Sequence, residues 1–422
     1  MMTEDYPPGL YSGIGRHVQE LAQSLAAQGV EVVVVKAGLA SDEVDPAGIT
    51  GARPGSPTVL GVKTPADLAN IGAAHRPTAL PHLLHTNLAM IEQILKIAPS
   101  FACDVVHVHD IFAAPAGITV ANVLDLPLVL TKHFCYPASQ NRRSAGDNVS
   151  YLMSLEDWSL GVADQVIAVS SHVQQTITER DPRLKEKCAL IPNGTDIGVV
   201  QRNGDRPASR ERLATRLGVK PPLSFVMLHV SRLVYVKGAD ISIHALASLV
   251  KEAPTYDPRL VLIGAGPPPI EQHLRRLASR LGVSDRVHFG GPEHSRERLA
   301  DLYRAADAVV VPSRVEPFNL VTAEAITLRR LVVAADVGGI PEHVAHMRNG
   351  LLFQHGPNPP ASGSALAKLV KWAMTHPTPA MHIAQFGPLH GDDTYSWPKL
   401  AGEVMRLYRH VTAQRASPGR DA

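Results

Sequence analysis

The sequence predicts an α/β protein built from two doubly wound, Rossmann-like domains. Three observations carry this. The chain has 422 residues and a mass of 45.3 kDa, which suits two domains of about 200 residues each. Short β-branched apolar runs alternate with helical patterns from end to end, the rhythm of repeated βα units. A Gly/Pro-rich seam at 195–222, with Gly194, Gly198, Gly204, Pro207, Pro221 and Pro222, interrupts that rhythm near the middle.

In chain order, the opening Met1–Pro8 leaves room for only the last residues of a first strand, so that strand is very short or its start lies upstream. Arg16–Ala27 places Val18, Leu21, Ala22 and Leu25 on one helical face,. The first-half strands are Val30–Lys36, Val105–His109, Leu128–Thr131, Val166–Val169 and Ala189–Pro192. Val32–Val35 is apolar on both faces, the mark of a parallel strand covered on both sides. Ser41–Thr64 reads as a long surface loop, and His82–Ala98 as an amphipathic helix. After the seam, strands are expected at Phe225–Val230, Leu260–Gly264, Val287–Gly290, Ala308–Pro312, Leu331–Ala335 and Leu351–Phe353. Helices are expected at Asp240–Lys251, Ile270–Leu281 and Arg298–Ala306, and a loop at 354–363. The expected boundaries are 1–203, 204–395, a last helix over 396–415 and a disordered tail over 416–422.

Composition narrows the function. Hydrophobic residues make up 45% and charged residues 19%, a chain that buries cores. Lys+Arg 41 against Asp+Glu 39 gives a net charge of +2, without the basic surplus of a nucleic-acid or lipid-surface protein. Cys103, Cys135 and Cys188 form no C-x-x-C and read as core residues of a reducing compartment. The N-terminus is not a signal peptide and no apolar run reaches 18 residues,. A cytoplasmic protein acting on small molecules is expected, with no stable membrane association and an oligomeric state left open.

Four segments carry chemistry. Tyr11-Ser-Gly-Ile-Gly-Arg-His-Val18 is a glycine turn into the first helix; it is either a structural turn or a place where phosphate meets free helix amides. Val261-Leu-Ile-Gly-Ala-Gly-Pro-Pro-Pro269 lacks the third glycine and the later acid of a dinucleotide site,; a tight turn and a ligand contact at Gly264 both remain open. Val230-Ser-Arg-Leu-Val-Tyr-Val-Lys-Gly238 puts Arg232 and Lys237 in one loop at a strand's C-terminal end. They suit a pyrophosphate, or are two solvated surface cations; as cleft cations they hold little core. Pro312-Ser-Arg-Val-Glu-Pro-Phe-Asn-Leu-Val-Thr-Ala-Glu324 offers the amides of Phe318, Asn319 and Leu320 at a helix start,. It adds Glu316 and Glu324, good acceptors for sugar hydroxyls, although Glu324 taken in isolation also reads as a surface helix acid. His107, His109 and His133 resemble a zinc set, but no fourth ligand is evident, and a satisfied structural role is favoured for His107. No D-x-D triplet occurs; no metal site and no cofactor are expected.

Taken together and in order, these segments resemble the retaining glycosyltransferases of family 4, which have the GT-B fold. The resemblance runs over almost the whole chain. It includes the Gly13 loop, Thr131-Lys-His133, Val169-Ser-Ser171, Ile191-Pro-Asn-Gly-Thr-Asp196, Arg232…Lys237-Gly238 and Gly264-Ala-Gly266. It continues through Glu316-x7-Glu324 to Tyr395-Ser-Trp397, ahead of a helix that in this family crosses back to the N-terminal domain. Two departures stand out: Ser12-Gly13 replaces the usual Gly-Gly, and the first strand is clipped.

The resemblance implies a nucleotide-diphosphate sugar as donor substrate. Arg232 and Lys237 would neutralise the diphosphate, with Gly13 and Gly15 approaching it from the other domain and Gly264 alongside. Glu324 would bind ribose, and Glu316 with the amides of Phe318, Asn319 and Leu320 would hold the sugar. Gly290-Gly-Pro-Glu-His294 would flank the base, and His133 would lie against the sugar. His133, Arg232, Lys237 and Glu316 are thus the catalytic candidates. Leaving-group charge is stabilised by fixed cations, and a phosphate oxygen takes the acceptor's proton, so no hydrolase-like carboxylate pair is needed.

For the acceptor, Glu4, Asp5 and Asp110 form an acidic set that suits a cationic polyol such as the aminocyclitol of aminoglycoside antibiotics. The expectation is transfer of N-acetylglucosamine from UDP to 2-deoxystreptamine or a close relative, the choice of N-acetylglucosamine over glucose being what the resemblance implies, with no residue deciding it. The alternatives are UDP-glucose or GDP-mannose as donor, inositol phosphate, lipid or polysaccharide as acceptor, and a non-catalytic nucleotide-sugar-binding relative.

Overall fold

The computed structural model describes residues 1–6, 13–37, 49–50, 55–62, 79–136, 147–195, 205–218, 225–391 and 393–415. Tyr11, Ser12, Asp196, Gly198, Gly204, Pro221, Pro222 and the tail 416–422 lie outside them. The chain divides into two compact units, Met1–Gly194 with the segment from Trp397 onward, and Thr195–Ser396. The expected divisions were 203/204 and 395/396.

The first unit runs β1 (Met2–Thr3), α1 (Gly13–Ala27), β2 (Val33–Ala37), β3 (Ile49–Thr50), β4 (Thr58–Val62), α2 (Ala79–Ile97) and β5 (Val106–His109). It continues α3 (Ala114–Val123), β6 (Leu128–Lys132), α4 (Asp147–Val162), β7 (Gln165–Ala168), α5 (Ser171–Arg180) and β8 (Cys188–Leu190). The sheet order is β3-β4-β2-β1-β5-β6-β7-β8, all parallel except the β3–β4 pair. β1 is only two residues, yet Met2 and Thr3 pair with Val35 and Lys36, and Met2 with Val108.

The second unit runs α6 (Arg206–Leu217), β9 (Phe225–Val230), α7 (Ala239–Glu252), β10 (Pro258–Ile263), α8 (Pro268–Arg280), β11 (Val287–Phe289) and α9 (Arg296–Ala305). Then come β12 (Ala308–Val311), α10 (Leu320–Thr327), β13 (Val332–Ala335), β14 (Leu351–Phe353), α11 (Pro359–Thr375) and α12 (Pro377–Phe386). Its order, β11-β10-β9-β12-β13-β14, is the 3-2-1-4-5-6 order of a Rossmann sheet. Both faces are covered: one cluster gathers Leu246, Leu262 and Val333, the other Leu228, Val309 and Tyr303. Finally α13 (Trp397–Arg415) returns to the first unit. There Leu400, Ala401 and Val404 pack with Val18, Leu21 and Leu25 of α1, two apolar stripes at helical spacing meeting face to face.

Two expectations fail. The loop over Ser41–Thr64 contains β4, whose Leu60 is buried and pairs with Val35. Gly61 and the flanking Pro57 disguised a strand whose parallel partner lies far off in sequence. The loop over 354–363 ends at Asn358, whose Oδ1 accepts from Ala361 N at 2.9 Å and starts α11. Pro359 and Pro360 read as breakers, yet they occupy the first turn, where no amide needs a partner.

Candidate functional site

In each sheet the strand order reverses at one point, between β9 and β12 in the second unit and between β1 and β5 in the first. Ligands of open α/β sheets bind outside the carboxyl ends of the strands at that point.

In the second unit, the loop leaving β9 carries Arg232, which is exposed, and Lys237, which is half-buried. The loop leaving β12 carries Glu316, Phe318 and Asn319, all buried. Lys237 Nζ donates to Glu316 Oε2 at 2.6 Å, so the cation and the acid expected to serve diphosphate and sugar are paired. Two devices hold the loops together. Gly238 has φ 72°, and a Cβ there would overlap the Pro312 carbonyl oxygen, so only glycine fits. Arg314 donates to both Asp240 oxygens at 2.7 and 3.0 Å and stacks on Tyr235 at 3.9 Å. Arg314 and Asp240 were missed from sequence; both look like ordinary surface charges until the strand ends are set side by side.

Asn319 caps α10, its Oδ1 accepting from Thr322 N at 2.7 Å. Its φ of 77° is a strained value for a non-glycine residue, of the kind that collects at functional sites. Glu324, 1% exposed, accepts from the Tyr303 hydroxyl at 2.7 Å. Gly264 has φ 135°, and a Cβ there would overlap the Ser231 carbonyl; that packing by itself requires glycine. His294 is exposed in the loop after β11.

In the first unit, Glu4 and Asp5 follow β1, and Asp110 follows β5. Asp110, at φ 62°, accepts from Ile111 N at 2.9 Å and from Lys132 Nζ. Lys132 is fully buried and also pairs with Glu156 at 3.1 Å; Glu156 in turn meets Arg180. Asp110 is therefore part of a buried ion network. Glu4 stands 3.7 Å from His82. Its carboxyl, 38% exposed, is pushed up to about 7, by partial burial first and then by Asp5 and Asp110. Gly13, exposed, begins α1. A Cβ on Gly15 would come within 2.7 Å of the Asp5 carboxylate, so this glycine makes room for an acid.

The histidines separate into two roles. His107 is satisfied on both nitrogens, by Tyr408 at 2.6 Å and Thr131 at 2.7 Å, the structural role favoured from sequence. His109 and His133 are joined by His17 of α1, each offering a nitrogen within 4.8 Å of the others, all buried. Burial holds the three neutral, with His133 lowered to about 3. Neutral imidazoles at this separation could take a divalent ion after small rotations. His17 went unremarked in the sequence, although it lies one helical turn beyond Gly13 and so on the glycine's side of α1.

Comparison with known proteins fits both halves. Residues 11–199 match the family described as Glycosyltransferase Family 4, and residues 224–371 match Glycosyl transferases group 1. A D-inositol 3-phosphate glycosyltransferase of Streptomyces bingchenggensis is 30% identical over 73% of this chain and 68% of its own. The chain belongs to glycosyltransferase family 4. The transferase is also 29% identical to a D-inositol 3-phosphate glycosyltransferase of Nocardiopsis dassonvillei, over 96% of this chain and 91% of that protein. It is 29% identical to the alpha-maltose-1-phosphate synthase of Mycolicibacterium smegmatis, over 98% and 99%. Among solved structures, HepE of Anabaena in complex with UDP and glucose superposes with a TM-score of 0.72 at 22% identity, covering 97% of this chain and 98% of that one. These likenesses establish the GT-B fold for the transferase. No helix of its described residues is long and apolar enough to cross a membrane.

Proposed function

We propose that this chain is a retaining transferase that moves a hexosyl group, N-acetylglucosamine in our reading, from a UDP donor to a small cationic cyclitol such as 2-deoxystreptamine. One observation supports the donor half above others: a fixed Lys237–Glu316 pair, with Arg232 and the amides of Phe318, Asn319 and Leu320, at the strand reversal of the second unit. Lys237 has three ammonium protons and Glu316 takes one, which leaves two for diphosphate oxygens. As the anomeric bond breaks, negative charge grows on that diphosphate, and preorganised cations stabilise it without reorganising. A phosphate oxygen on the leaving-group face takes the acceptor's proton, which gives retention without a protein base or a metal on the diphosphate. Glu324 serves the ribose, Glu316 the sugar and His294 the base, with Gly264 beside the diphosphate; the resemblance assigns His133 to the sugar and Gly13 and Gly15 to the diphosphate.

The acceptor half rests on Glu4. Asp110 is engaged by Lys132, while Glu4's carboxyl, raised to about 7 among Asp5 and Asp110, gains most from a cationic neighbour. A second reading, transfer to an inositol phosphate, is favoured by the names of the relatives; an anion there would meet like charge. The test incubates the protein with UDP- and GDP-sugars and a panel of aminocyclitols, inositol phosphates and glucans, with and without EDTA, read by mass spectrometry. Glycosylated aminocyclitol with its anomeric configuration retained, in EDTA as without it, is expected. Glycosylated inositol phosphate with amines ignored would replace the acceptor reading. Loss of activity in EDTA would overturn metal independence.

A further inference from the structure

We infer that His343 and Tyr395 are positioning residues that aim the donor loop's amide; this rests on the donor reading above. His343 follows β13 in a short turn, and Tyr395 precedes the return into α13. Both are buried, and neither belongs to the segments assigned to the donor. His343 Nε2 lies 2.8 Å from the Phe318 carbonyl oxygen, and Nδ1 lies 2.7 Å from the Tyr395 hydroxyl. A carbonyl can only accept, so Nε2 carries the proton, and Nδ1 then accepts from Tyr395. The ring is also wedged edge-on against both aromatics, at 4.3 Å from Phe318 and 5.3 Å from Tyr395.

The consequence lies in the next peptide. A planar trans peptide points its N–H opposite to its C=O. Holding the Phe318 carbonyl toward His343 therefore fixes the direction of the Asn319 N–H, away from the buried ring. The neighbouring carbonyl of Glu316 is held in a similar way, accepting from Gly339 N at 2.9 Å. Asn319 itself has φ 77°, a conformation that persists only where surroundings enforce it. Tyr395 is in turn tied to the other strand of chain that crosses between the units, its carbonyl accepting from Thr195 N at 2.8 Å. The strained residue is thus pinned by its own cap on one side and by the His343–Tyr395 relay on the other.

The test compares wild type with His343→Leu, His343→Gln and Tyr395→Phe. Calorimetry measures UDP and the intact UDP-sugar separately, alongside kcat, thermal melting and hydrogen exchange over 316–320. His343→Leu is expected to lower kcat and weaken the intact donor about tenfold, a fraction of the loss on deleting a charge-stabilising donor outright. Free UDP should be spared to within about twofold, and exchange over the loop should rise. Glutamine can donate to the carbonyl and accept from the hydroxyl, so His343→Gln should recover activity to within about threefold. Tyr395→Phe should fall between them. Wild-type kcat in His343→Leu, or equal losses for UDP and donor with no rescue by glutamine, would overturn the positioning role. If wild type binds neither UDP nor a UDP-sugar, the donor reading falls. The exchange data still decide the geometry, since unchanged loop exchange in His343→Leu would overturn it.

Discussion

Lys237→Ala tests the donor site and the fold together. As a cleft cation, Lys237 was expected from sequence to matter little for folding. The structure corrects this, because its ammonium is 2.6 Å from a Glu316 carboxylate that is only 6% exposed, while Lys237 itself is 21% exposed. Removing one partner of a fully buried pair costs about 3–5 kcal/mol, since the other charge is left uncompensated. With Lys237 partly open to water, about 2 kcal/mol is a reasonable share of that range. For a domain of about 200 residues this corresponds to a fall in Tm of about 4–8 °C. Turnover should drop about a hundredfold, the effect of removing one preorganised charge-stabilising group. The double variant Lys237→Ala/Glu316→Gln removes the orphaned charge. Melting should return to within about 2 °C of wild type, while activity stays lost. Calorimetry and initial rates on the three proteins suffice. A single variant as stable as wild type would refute the pairing argument, and near-normal turnover would refute the diphosphate assignment.

Three further outcomes follow. Glu324→Ala should weaken free UDP and the sugar nucleotide alike, whereas Glu316→Gln, whose amide oxygen can still accept from Lys237,, should spare UDP and weaken only the intact donor; equal titration curves for the two variants would show the roles wrongly divided. Glu4→Gln should raise KM for an aminocyclitol while leaving donor KM unchanged, and it is a cleaner probe than Asp110→Asn, which would also strip Lys132 of a buried partner; an unchanged acceptor KM refutes the cation site. Stability should fall as pH drops from about 6.5 toward 4: His17, His107 and His109 are lowered well below 6.5, His133 to about 3, and His229 and His343 to about 4. The unfolded chain then binds protons that the folded chain refuses. Among the described residues Glu4, raised to about 7, opposes this, so a Tm that is flat or rising from pH 7 to 5 would contradict the buried-neutral assignment.

The fold was legible because its signals are local. Each of the eleven apolar runs forms a strand, since a strand covered on both faces reads as a near-continuous apolar run. What escaped was set by distant partners. Thr58–Val62 is a strand only because Val33–Ala37 lies beside it, and Pro359 opens a helix only because Asn358 caps it. The site divides along the same line. Arg232, Lys237, Glu316 and Asn319 could be named from sequence because each follows a readable strand, and the 3-2-1-4-5-6 order then brings two loops together at one edge. Their partners could not be named. Nothing in the run around Arg314 announces Asp240, seventy-four residues away. Nothing in Gly-Ile-Pro-Glu-His343 announces a carbonyl twenty-five residues earlier or a hydroxyl fifty-two residues later. The same holds for Asp110, which read as a free acid until Lys132 was found on it. Chemistry-bearing residues sit where the strand rhythm puts them, whereas the groups that orient and neutralise them depend on which strand ends become neighbours. Arg314, His343, Tyr395 and Lys132 belong to that supporting layer, each fixing a group that a readable loop presents.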